Sequence, residues 1–104
     1  MAQRVVKWSR IADQQYVSIL EYWVHRNKSA AYSKKLIRIV SNKTKAIAEN
    51  PNQFKISGYK DLRVAILGDY SIYFRALTNE IIILAFWDNR QDPKKLLEII
   101  SKSL

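Results

Sequence analysis

The main change in the spacing of apolar residues along this chain falls at Asn50-Pro51. Before it, Ile11, Tyr16, Ile19, Leu20, Trp23 and Val24, and then Tyr32, Leu36, Ile39, Val40, Ile47 and Ala48, recur at intervals of three and four, the period of a helix that buries one face. After a polar stretch at 52–60, residues 62–67, 70–77 and 81–87 are β-branched and aromatic with a period of two, as in strands. Helices followed by consecutive strands give helices packed on a mainly antiparallel sheet, an α+β architecture, rather than the alternating order of a parallel doubly wound fold.

Local signals set the boundaries. Residues 4–8 read as a first strand at a sheet edge, and Ser9 can cap a helix that begins near Arg10 and reaches about Arg26. Asn27 and Ser29 interrupt the pattern and offer caps, and Asn50-Pro51 ends the second helix. Gly68-Asp69 and Thr78-Asn79 are short polar turns of the kind that join antiparallel neighbours. Asp92-Pro93 places a capping carboxylate before a proline, and Leu96, Leu97, Ile100 and Leu104 form the stripe of a short C-terminal helix. The expected molecule is a single domain over residues 1–104: an N-terminal strand, an antiparallel helical hairpin on a four-stranded sheet, and a C-terminal helix. The run at 81–86, apolar at every position, requires cover on both faces of its strand.

Several function classes drop out. The chain has no cysteine and one histidine, His25, so a disulfide framework and an ordinary zinc site are excluded, and no metal or cofactor is expected. No stretch approaches the roughly 18 apolar residues of a membrane helix, and the N-terminus lacks the apolar core of a signal peptide, so a cytoplasmic protein without membrane contact is expected. The formal charge is +9, and residues 22–60 hold nine basic side chains against one acid, Glu49, which is +8 of that total. A cluster of this kind either attracts polyanions or serves as a solvated face. Lys34, Lys35, Arg38 and Lys45 fall on the outer side of the second helix and are the candidate binding residues.

The order of elements, with Asn50-Pro51, Asp61-Leu62-Arg63, Tyr70-Ser71-Ile72-Tyr73-Phe74 and Phe86-Trp87-Asp88-Asn89-Arg90-Gln91-Asp92-Pro93, resembles the RelE/ParE superfamily of type II toxin–antitoxin (plasmid stabilisation) toxins over nearly the whole chain. The resemblance implies a basic toxin that arrests bacterial growth and is neutralised by a cognate antitoxin with an acidic, partly disordered segment. One branch poisons DNA gyrase by binding, and the long helical hairpin favours that branch. The other cleaves messenger RNA on the ribosome, using cations whose positions correspond here to Arg63, Ala65, Ser71 and Arg90; only Arg63 and Arg90 are basic, and Arg75 is a substitute on the strand face of residues 71 and 73.

If RNA is cleaved, Arg63, Arg75 and Arg90 would hold phosphate and Tyr73 would move a proton, which requires that its pKa be lowered from about 10. Tyr70 is better read as core with Ile72 and Phe74. Trp87 is either a stacking platform for a base or the aromatic end of a buried strand, and Arg90 beside it is a candidate for target contact. His25 is expected to be exposed, and Asp88 and Asp92 are not a metal pair because Asp92 caps a helix. A non-toxic nucleic-acid-binding or interaction module on the same fold is the alternative from outside the toxin class.

Overall fold

A computed structural model describes residues 4–103, so the expected place of Leu104 on the last helical stripe lies outside the described residues. The elements are β1 (Val5–Trp8), α1 (Arg10–Asn27), α2 (Ala31–Glu49), a 3-10 turn (Pro51–Gln53), β2 (Lys55–Ile56), β3 (Arg63–Leu67), β4 (Tyr70–Ala76), β5 (Glu80–Asp88) and α3 (Pro93–Ser103). The sheet order is β1-β5-β4-β3-β2, antiparallel except for the parallel β1–β5 pair at one edge. The sheet thus has five strands rather than four. The extra one is the two-residue β2, inside the stretch read as loop; two residues are too short to show a period.

The caps of α1 and α3 follow the sequence, whereas α2 begins after Ala30 with no side-chain cap. Ser9 Oγ accepts from the Ala12 amide at 3.1 Å to start α1, and Asp92 Oδ1 accepts from the Lys94 amide at 3.0 Å to start α3. Lys28, at φ 50°, turns the chain out of α1. Gly68, at φ 61°, takes the first central position of the β3–β4 turn, where a positive φ lets the turn match the twist of the strands.

Each sheet face has its own core. Tyr70, Ile72, Phe74, Ile81, Ile83 and Phe86 pack beneath Leu36, Val40 and Ile47 of the helical hairpin. Leu84, Ala85 and Trp87 pack on the other face with Leu62 and with Leu96 and Ile100 of α3. This answers the demand of the all-apolar strand for cover on both sides. Strand alternation alone would put Leu84 and Ala85 on opposite faces. They share one because Tyr73 pairs with Ala85 while Phe74 pairs with Ile83, so Leu84 is the extra residue of a β-bulge.

The spacing rule errs at the ends and flanks of the hairpin. Val24, Tyr32 and Ile39, read as buried, are 38–40% exposed. Val24 and Tyr32 belong to a run from 24 to 32 that is exposed throughout, the tip of the hairpin, and Ile39 sits beside the buried line of Leu36 and Val40 rather than on it.

Candidate functional site

The outer surface of the hairpin is basic. Lys34, Lys35, Arg38 and Lys45 are all exposed, and His25 near the tip is exposed as well. The hairpin is pinned from inside: Ser33 Oγ donates to the Leu20 carbonyl at 2.7 Å, and Trp23 Nε1 donates to Tyr70 Oη at 2.7 Å. Tyr70 is 3% exposed and stacks on Phe86 with ring centroids 5.5 Å apart, which fits its core reading. Burial pushes its phenol above the ordinary tyrosine value.

A groove of about 710 Å3 runs between α1 and the end of β5, with Ile19, Tyr22 and Phe86 among its apolar lining and Arg90 and Lys95 among its polar lining. Hydrogen bonds around Asp88 and Asn89 shape this end of the sheet. Asp88 Oδ1 accepts from both the backbone amide and Nε of Arg90, and Asp88 Oδ2 accepts from Nη2, each at 2.9 Å. This fork holds the Asp88 carboxyl below the usual aspartate range, chiefly through the side-chain hydrogen bond, and raises the Arg90 guanidinium further. Ser71, 3% exposed, donates to Asn89 Oδ1 at 2.9 Å, so the serine standing where the RNA-cleaving branch has a cation closes the β5–α3 turn instead.

The residues proposed for RNA cleavage do not converge. Arg63 pairs with Phe74 and therefore lies on the hairpin face, where Nη1 donates to the Phe54 carbonyl at 2.7 Å and ties the loop after Pro51 to β3. Tyr73 and Arg75 lie on the opposite face. Arg75 is engaged by Asp61 through Nε at 3.1 Å and Nη2 at 3.4 Å. Tyr73 packs against Tyr59, ring centroids 5.8 Å apart, and burial raises its pKa, opposite to what a proton shuttle needs. Arg90 is at the Tyr70 end of β4, roughly 13 Å of strand from the Phe74 level at which Arg63 sits.

Trp87 is 5% exposed, held against Leu96 and Ile100 by α3, so its ring has no open face on which a base can stack. Two features escaped the sequence reading. The groove depends on side chains of α1 meeting β5, which no local pattern encodes. The Arg90–Asp88 fork was partly visible as an Asp-x-Arg spacing beyond a strand. Among the described residues no group of three or more histidine, cysteine, aspartate or glutamate side chains is placed to hold a metal, and no helix is long and apolar enough to cross a membrane.

A family model described as "ParE toxin of type II toxin-antitoxin system, parDE" matches residues 6–93. Among solved structures, the chain is similar to one described as the "Chromosomal ParDE TA system from P. aeruginosa", with a TM-score of 0.69 and 23% identity over 81% of this chain and 94% of that one, a likeness of fold. The curated proteins give no match.

Proposed function

The chain belongs to the ParE toxin family of type II toxin–antitoxin systems, and from that premise we propose that it arrests bacterial growth in the cytoplasm by binding and poisoning DNA gyrase. One observation carries this reading beyond the family: the side chains that would cleave RNA are divided between two faces of the sheet, and Tyr73 is shifted away from proton transfer. A protein that acts by binding needs no such constellation. It needs a surface, and the hairpin supplies one through Lys34, Lys35, Arg38 and Lys45.

Family membership brings a cognate antitoxin as partner. Its neutralising segment is acidic and folds on binding, laying apolar side chains against Tyr22 and Phe86 in the long groove with carboxylates near Arg90 and Lys95.

The deciding measurement is pulse labelling of DNA and protein synthesis after tightly controlled induction without the antitoxin gene. DNA synthesis should fall first, and purified chain should inhibit gyrase supercoiling. An earlier fall in protein synthesis, abolished by Arg63→Ala with Arg90→Ala, would replace this reading with messenger cleavage. No fall in either label, with soluble protein accumulating, would leave a non-toxic module.

A further inference from the structure

On the outside of the hairpin, α1 and α2 leave a second, smaller cleft of about 310 Å3 between Leu20 and Val24 on one side and Ala30 and Ile37 on the other. Val24 is 38% exposed and Ile37 47%. Val17, also exposed, extends the α1 side by another turn, since 17, 20 and 24 recur at i, i+3 and i+7. The buried hydroxyl in this lining, Ser33, is already spent inward on the Leu20 carbonyl, so the cleft presents a largely aliphatic seam about two helical turns long.

Charge decides what fits. Lys34 lines the cleft, and Arg38 and Lys45 follow it at i+4 and i+11, so one rim is a line of cations along α2, while the other rim carries Glu21. A second copy packed on this seam would bring two such lines together in molecules of charge +9 each, which opposes pairing. Nucleic acid would meet the cations but find aliphatic side chains where bases need rings or amides.

We infer that this seam takes an amphipathic helix of the protein target, with apolar residues at i, i+3 or i+4, and i+7 seated between Val24 and Ile37 and an acidic flank facing Lys34 and Arg38. The inference rests on the reading above, that the chain acts by binding a protein through its hairpin, and it adds the chemistry of the contact.

The test uses the full chain and two labelled helical peptides of about five turns, identical in their leucine stripe and flanked either by glutamate or by lysine. In fluorescence anisotropy the glutamate-flanked helix should bind about tenfold or more tighter than its counterpart. Val24→Asp and Ile37→Asp should each weaken it about tenfold, while Ile66→Asp, at a 62% exposed site on the other sheet face, should not. Both positions are exposed, so unchanged thermal melts will confirm that the variants fold. Val24→Asp should also lose inhibition of gyrase in step with its loss of peptide binding.

Equal binding of the two peptides, indifference to both substitutions, or self-association abolished by Val24→Asp would overturn the inference. Gyrase inhibition surviving Val24→Asp while antitoxin binding falls would overturn it too, by giving the cleft to the antitoxin. A wild-type chain without effect on gyrase would sink the gyrase reading separately, and the peptide pair would still judge the seam.

Discussion

The two faces of the sheet are closed in different ways. The hairpin face carries the larger core, with Phe74 and Phe86 at its centre, and is covered by two helices of 18 and 19 residues. The α3 face carries a smaller core under one 11-residue helix, and beyond that cover Ile66 remains 62% exposed. The thick face therefore holds the larger share of the buried side chains, while the thin face depends on one short element. Among the described residues, the ion pairs Lys7–Glu80, Arg75–Asp61 and Arg90–Asp88 lie in or beside the sheet.

Truncating a core side chain on each face tests this difference most strongly. Phe86→Ala should cost about 3–5 kcal/mol and Leu96→Ala about 2–5 kcal/mol, with the loss at Phe86 the greater; both are read from urea unfolding. An equal or larger loss at Leu96 would make α3 as structural as the hairpin. Next comes Gln15→Leu. The Phe86 amide donates to Gln15 Oε1 at 2.9 Å, past the point where β1 has ended, and leaving it without a partner should cost about 1–3 kcal/mol. Trp23→Phe, which removes the indole donor to Tyr70, should cost about 0.5–1.5 kcal/mol and loosen the hairpin without unfolding the sheet.

Acid probes the strand-end contact. The Asp88 pKa is depressed in the folded state, so its contribution to stability is present above the ordinary aspartate pKa and is lost as pH falls through the lower folded value. Wild type should exceed Asp88→Asn in stability at neutral pH, and the gap should close on acidification through that window. Smallest in stability are Lys34→Ala and Arg38→Ala, expected within about 0.5 kcal/mol of wild type, yet these should weaken target binding and flatten its salt dependence.

The hairpin, the meander and both helix caps were legible because each depends on neighbours in sequence: a repeat of three or four, a repeat of two, or a polar side chain one step before a helix. What was hidden depends on contacts between distant segments. Arg63 was read as a phosphate ligand because nothing near it announces the Phe54 carbonyl that it holds. Val24 and Tyr32 carry the right spacing for burial, but spacing cannot say where the sheet beneath a helix ends. In the same way, residues 81–86 are apolar without interruption, so any assignment of faces within them was equally allowed.

That last ambiguity has a consequence for how the chain can change. With Leu84 inserted, Trp87 points to α3 and Asp88 to the groove beside the hairpin. Deleting that one residue would return β5 to strict alternation, with Ala85 following Ile83 as Tyr73 precedes Phe74, and would leave Trp87 toward α3 and Asp88 toward the groove. The strand can therefore lose one residue at this point without exchanging its faces, whereas a second loss would turn Trp87 toward the groove and Asp88 into the core under α3.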